Sequence, residues 1–197
     1  MSDSGFSENY ILEEELLQDF DELEKVKLIH QFDSSLEKML PDQAGVVVGA
    51  GSKNWREKGW KTLDLESTPG DFDFHHVAQS MPLTIPRNSL DYIYAEYSLV
   101  RGGSKLSELA FASRQVLKDT GLFVIDTNRI TDEGTDSGPM MFPFGFNRVS
   151  EVEEELRAFG FKCFSVLGDK KLQKDARTQK VRFYCIKDRL RLAFLTK

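Results

Sequence analysis

Val46, Val47 and Val48 run into Gly49-Ala50-Gly51, and a carboxylate, Asp64, follows thirteen positions after the second glycine. A strand that ends in two glycines offers a tight turn at Gly49. At Gly51 it offers a backbone with no Cβ to hold a ligand away. Asp64, at the end of the next apolar run, has a carboxylate able to accept hydrogen bonds from the two vicinal hydroxyls of a ribose. In open α/β sheets ligands lie outside the carboxyl ends of the strands, where this pair falls. The chemistry implied is the binding of an adenosine-type cofactor. A dinucleotide is disfavoured, because its fingerprint needs a third glycine where Asn54 stands and an acid about 20 residues on. Trp55 to Gly59 also leaves room for barely one turn of the helix whose N-terminus would hold a pyrophosphate. No Gly-Lys-Ser/Thr follows, which excludes a Walker loop.

Other polar groups fall near the ends of expected strands: His75, His76, Glu96, Tyr97 and Arg101. Glu96 reads either as a cofactor contact or as a base for an acceptor. The tandem histidines of "FDFHHV" place one imidazole inward and one toward solvent, with a structural role as the simpler reading and His76 as the catalytic candidate. Met140, Met141, Phe142, Phe144 and Phe146 form an apolar loop, either a lid over a small acceptor or packing for a crossing of the chain. Neither a Ser-His-Asp arrangement nor metal-spaced His/Cys ligands are present, so hydrolysis and a metal site are not indicated.

The elements that must position these residues alternate. Ile11 to Met39 has helical periodicity through Leu12, Leu16, Phe20, Leu23, Val26 and His30. Asp33-Ser34-Ser35 is expected to interrupt it, with Ser34 and Glu37 as a capping box for a short second helix. Strands are expected at 45–48, 60–64, 72–77, 91–95, 122–126, 161–167 and 180–186. Residues 104–117 read as a helix, followed by a turn at Asp119-Thr120-Gly121. A second helix starts at a capping box, Ser150 with Glu153, and ends at Gly160. The last two strands have no room for a crossover between them and should pair antiparallel. The pattern predicts one domain over 1–197: an N-terminal helical extension, 1–42, and an α/β core, 43–197, with a mostly parallel sheet.

The 197 residues carry a net charge of −6, distributed unevenly. Residues 1–42 hold 12 acids and 3 bases, whereas 162–197 hold 3 acids and 11 bases. The basic end either neutralises the acidic one or stays solvated. Overall acidity argues against nucleic acid as a partner, while a protein partner or homo-oligomer stays open. No apolar run approaches the roughly 18 residues of a membrane span, and "MSDSGFSENY" lacks the features of a secretory signal. Cys163 and Cys185 are expected to be two buried, reduced thiols, which makes the cytoplasm the default compartment.

Three stretches, "VVVGAGSKNWREKGWKTLDLE", "MPLTIPRNSLDYIYAEYSLV" and "SELAFASRQVLKDTGLFVID", follow one another in an order that resembles the small class I S-adenosylmethionine-dependent methyltransferases. The likeness is to the branch with a shortened first glycine loop and spans about residues 44–187. It implies a Rossmann-like sandwich on a seven-stranded sheet ending in an antiparallel hairpin, with S-adenosylmethionine as cofactor. Carried over by position, Gly49, Ala50 and Gly51 line the methionine end and Asp64 holds the ribose hydroxyls. Leu65 packs near the adenine, Ala78 and Gln79 lie by its amine, and Glu96 closes the pocket above the fourth strand. Departures are Val47, where an acid usually stands, Ala78 or Gln79 in place of Asp, Val100-Arg101 and Asp119-Thr120-Gly121. The implied function is methyl transfer to a small-molecule, envelope or natural-product acceptor. The alternative is a catalytically inactive methyltransferase-like domain that binds a protein.

Overall fold

The computed structural model describes residues 20–50, 54–64, 72–75, 81–96, 106–130, 149–168 and 178–188. Among them, seven strands form one sheet: β1 (Gly45–Val48), β2 (Lys61–Asp64), β3 (Phe74–His75), β4 (Leu90–Glu96), β5 (Leu117–Ile130), β6 (Phe161–Leu167) and β7 (Thr178–Lys187). Their order is β3-β2-β1-β4-β5-β7-β6. β7 runs antiparallel to both neighbours, and the other pairings are parallel. The helices are α1 (Glu22–Glu37), α2 (Met81–Thr84), α3 (Leu106–Val116) and α4 (Val149–Ala158). None of them is long and apolar enough to cross a membrane.

Strand alternation divides the core in two. Val46, Val48, Ile93, Ala95, Phe123, Ile125 and Phe183 point to the face covered by α2, α3 and α4. On α3, Leu106, Leu109, Ala110, Ser113 and Val116 recur at helical spacing and are all buried. The opposite face carries Val47, Tyr92, Tyr94, Val124 and Tyr184 beneath α1. Among the described residues between β1 and β2 there is a single 3-10 turn, Arg56–Lys58, and aromatic rings fill the space a helix would take. Trp55 lies edge-on to Trp60 and Tyr94, with ring centroids 6.2 and 5.6 Å away. Phe32 of α1, fully buried, meets Tyr94 at 5.2 Å and Tyr184 at 6.0 Å. The Trp60 indole donates to the Ser35 carbonyl at 2.8 Å, pinning α1 to β2. Gly45 is required here, since a Cβ would lie 2.9 Å from the Trp60 ring.

Several sequence expectations need correction. Asp33-Ser34-Ser35 does not break the helix: α1 is continuous, and its capping box is Asp21 with Glu24. Ser35 is tolerated because its hydroxyl donates to the Phe32 carbonyl within the helix. The buried stripe of α1 runs through Phe32 and Ser35, while Leu23, Val26 and His30 are exposed. The periodic residues were real, but neighbouring positions one step round the helix won the sheet contact. Asp119-Thr120-Gly121 lies inside β5, which leaves α3 directly at Leu117 and reaches Ile130. Ser150 falls within α4 and is not its cap, whereas Gly160 does adopt the left-handed conformation, φ 79°. Residues 1–19, Gly51, the Met-Phe loop and residues 76–80 lie outside the described residues.

Cys163 and Cys185 stand directly opposite each other on β6 and β7, with Cα atoms 4.2 Å apart, and are joined by a disulfide. Two reduced thiols are therefore not what the fold contains, and the cysteines no longer argue for a reducing compartment. The link closes a loop of 22 residues, for which the chain-entropy model gives about 3 kcal/mol of stability. Reduction with dithiothreitol is expected to lower the melting temperature by roughly 6–12 °C. A melting temperature that ignores the reductant would show that the link contributes nothing.

Candidate functional site

The strand registers align the candidate residues in one row. Val48 pairs with Leu63 on β2 and with Ala95 on β4, so Gly49, Asp64 and Glu96, each one residue further on, share a level. The row continues directly: Asp64 pairs with His75 on β3, Glu96 with Asp126 on β5, and Asp126 with Arg182 on β7. One residue below, Phe74, Leu63, Val48, Ala95 and Ile125 are all apolar. The carboxyl edge of the sheet thus changes from apolar to ionisable at a single step. Because alternate residues point to opposite faces, Asp64, Glu96, Asp126 and Arg182 all project to the α1 side. With strands about 4.8 Å apart, Asp64 and Glu96 flank Gly49 at about 10 Å from each other.

Local contacts fix each position. Gly49 takes φ 73°, and its amide donates to the Leu63 carbonyl at 2.9 Å, so the turn out of β1 is tied to β2. That φ is one that glycine adopts without the clash a Cβ brings. Asp64 is half-buried. Beneath it, Asp73 accepts from the Thr62 amide at 2.8 Å and hydroxyl at 2.9 Å, and from Arg56 at 3.1 Å. Burial alone would raise the Asp73 carboxyl, but these donors outweigh it and hold it below the usual carboxylate range. The clamp joins the 3-10 turn, β2 and the entry to β3.

Glu96 and Asp126 are adjacent carboxylates of different character. Asp126 is fully buried and accepts from four donors: Tyr94 Oη at 2.7 Å, Arg182 Nε at 2.6 Å and Nη2 at 2.9 Å, and Lys180 Nζ at 2.7 Å. Burial pushes its carboxyl up, yet Arg182, Lys180 and Tyr94 together hold it below the ordinary value. Burial and the Asp126 charge drive the Tyr94 phenol far above its usual pKa, so it serves only as a donor. Arg182 also reaches Asp33 of α1 at 3.4 Å and lies over the Phe32 ring at 5.2 Å. Asp126 is therefore a positioning group with no capacity to take a proton at neutral pH. Glu96, 8 % exposed, pairs with it from the next strand.

The structure brings together Gly49, Ala50, Asp64 and Glu96 at this edge. Gly51, Leu65, His76, Ala78 and Gln79 lie outside the described residues. Among the described residues no group of metal-ligating side chains gathers. Sequence reasoning missed Asp126, Lys180 and Arg182. The signals were an aspartate closing the apolar run "LFVID" and a cation alternating with core residues in "KVRFYC".

No family model matches the chain, and no curated protein matches it either. Solved structures do. Haemonchus contortus phosphoethanolamine N-methyltransferase 2 in complex with S-adenosyl-L-methionine superposes with TM-score 0.52 at 12% identity, over 82% of this chain and 52% of that one. The chain thus spans about half the length of that protein. Geranyl diphosphate C-methyltransferase from Streptomyces coelicolor A3(2), bound to Mg2+, geranyl diphosphate and S-adenosyl-L-homocysteine, gives 0.54 at 14% identity, over 84% of this chain and 79% of that one. The [4+2]-cyclase SpnF gives 0.54 at 15%, over 86% and 84%. At these identities the likeness is one of fold: a Rossmann-like α/β sandwich shared by methyltransferases and by a cyclase.

The buried Asp126 cluster generates a stability prediction. Asp126→Asn removes the buried counter-charge of Arg182, leaving it only the longer contact to the exposed Asp33, and is expected to cost about 3 kcal/mol, read as a lower urea midpoint. The depressed Asp126 pKa adds a pH signature. The stabilisation is complete above the unfolded value of about 4 and is lost as the pH falls through the folded one. Wild-type midpoints should hold from pH 7 to about 5 and then fall, with a shallower fall in Asp126→Asn.

Proposed function

We propose that this chain is an S-adenosylmethionine-dependent methyltransferase that acts on a small-molecule acceptor, such as an envelope or natural-product intermediate. The observation that carries the reading is the row Asp64, Gly49 and Glu96 on three adjacent parallel strands at the carboxyl edge of the sheet. Those residues fit the cofactor by their chemistry. A carboxylate suits vicinal ribose hydroxyls, a positive-φ glycine suits close backbone approach, and paired carboxylates suit a nearby sulfonium charge. Bound there, the cofactor supplies an electrophilic methyl carbon.

The chain's own groups then divide the work. Gly49, Ala50 and Gly51 line the methionine end, Asp64 accepts from the ribose, and Leu65, Ala78 and Gln79 serve the adenine side. Glu96 faces the acceptor and takes its proton where the acceptor must lose one, with His76 as the second candidate for that role. Asp126 and Arg182 keep Glu96 in register. For an in-line displacement, this positioning supplies much of the acceleration. No observation among the described residues favours an inactive, partner-binding role.

Calorimetric titration with S-adenosylmethionine is expected to give saturable binding with Kd of about 1–100 μM. Asp64→Ala should weaken it by about tenfold or more, through loss of hydrogen bonds to a charged acceptor. Glu96→Gln should bind the cofactor but slow turnover, read as S-adenosylhomocysteine released with a panel of acceptors, by about 10²–10⁴-fold. No heat with S-adenosylmethionine would contradict the reading.

A further inference from the structure

β6 is the terminal strand in the sheet order, so among the described residues β7 flanks one of its sides and no strand flanks the other. The pairing with β7 decides which backbone groups face that other side. The Gly168 amide donates to the Lys180 carbonyl at 2.8 Å, and the Asp188 amide to the Gly160 carbonyl at 2.9 Å. Gly168 with Lys180 and Gly160 with Asp188 are thus hydrogen-bonded pairs. Such pairs alternate along an antiparallel ladder, so Lys162, Phe164 and Val166 also turn their amides and carbonyls to β7. Phe161, Cys163, Ser165 and Leu167 direct theirs outward.

Strands at a sheet edge usually carry a device against further pairing: a proline, a bulge, a short length or a guarding charge. β6 has seven residues and no proline, and its register with β7 is unbroken from Phe161 to Leu167. Its one charged residue, Lys162, lies over the Phe20 ring at 4.4 Å, on the α1 face and not along the edge. The large side chains of β6 that reach solvent are apolar, Val166 at 38 % and Leu167 at 48 % exposure. The opposite end of the sheet differs. There β3 has two residues, too few to template a partner strand.

We propose that β6 pairs antiparallel with β6 of a second copy of this chain, about a two-fold axis between the two Phe164 residues. In this register every outward group meets another. Phe161 faces Leu167 of the second copy and Cys163 faces its Ser165, each pair exchanging two hydrogen bonds. A shift by two residues in either direction leaves outward groups at one strand end unmatched. The side chains agree with the same register. Leu167 falls opposite Phe161, and Val166 opposite the aliphatic stem of Lys162, so both exposed apolar residues are covered. The two Lys162 ammonium groups stand about 14 Å apart, a distance at which salt screens their repulsion. With β3 too short to add a third copy, the two-fold closes the assembly at a dimer. The interface is small, so a Kd of about 1–100 μM is expected. Gly49 and Asp64 lie on β1 and β2, at the other end of the strand order, and the proposal stands independently of the methyl-transfer reading.

Sedimentation equilibrium of the full chain, from about 1 to 200 μM, should show the mass rising from one chain to two. Hydrogen exchange reads the register. At the high concentration the amides of Phe161, Cys163, Ser165 and Leu167 should slow by about tenfold or more, while those of Phe164 and Val166, bonded to β7, are slow throughout. Ser165→Pro deletes an outward amide that β7 does not use, and should leave a folded monomer. Val166→Lys sets a cation opposite Lys162 of the second copy and should weaken the dimer about tenfold; Lys162→Glu added to it makes that pair attractive and should restore the dimer. A chain that stays at one mass overturns the proposal. So does a dimer whose four outward amides exchange as in the monomer, and so does a dimer indifferent to both Ser165→Pro and Val166→Lys.

Discussion

One buried carboxylate, Asp126, organises the carboxyl edge of this sheet. An isolated ionised carboxylate in a protein interior is costly, and it is retained only where donors replace its water. Asp126 has four, from β4, from β7 twice through Arg182, and from Lys180. Removing one member leaves the others buried without compensation, so the cluster behaves as a unit. Arg182 extends it to Asp33 and the Phe32 ring, bringing α1 into the same assembly. The consequence is positional. β4, β5 and β7 are locked in register beside Glu96, and the apolar core ends one residue below.

The other half of the edge depends on packing. Without a full helix between β1 and β2, the α1 face would leave Val47 and Tyr92 against solvent. Trp55, Trp60 and Phe32 cover them, and the Gln31 and Gln43 amides both donate to Tyr92 Oη, at 3.1 and 3.3 Å. Rings of this size bury as much apolar area as a short helical turn could, and their edge-to-face contacts add to that. A short connection therefore suffices between Gly49 and Asp64, and it is stiffened by the Asp73 clamp on Thr62 and Arg56. The spacing that disfavours a dinucleotide has a structural counterpart: an aromatic plug where a pyrophosphate-binding helix would begin.

How much of this was legible in the sequence follows from which forces were local. Continuous apolar runs marked β1 at 45–48 and the middle of β5 at 122–125, because burial on both faces writes itself into every residue of a strand. Gly160 was legible as a left-handed cap because glycine lacks the Cβ that disfavours that conformation. The buried side of α1 was not, since Leu23 and Val26 carry the same hydrophobicity as the residues that did reach the sheet. Asp126 and Arg182 were invisible as a pair: they are 56 positions apart, and only the register of β5 with β7 joins them. The disulfide was hidden because pairing of the two strands does not by itself give the register that sets Cys163 opposite Cys185. Glycines, Asp64 and Glu96 could be picked out by type and spacing, but their common level needed the strand pairings.

A fold shared with methyltransferases and with a [4+2]-cyclase does not choose a reaction. The choice rests on the row at the carboxyl edge, and backbone amide chemical shifts recorded with and without S-adenosylhomocysteine examine that row residue by residue. The account predicts perturbations centred on Gly49, Ala50, Asp64 and Glu96, with Leu28 and Ile186 at the far end of the sheet unmoved. Perturbations confined to the far end, or none at saturating ligand, would contradict it.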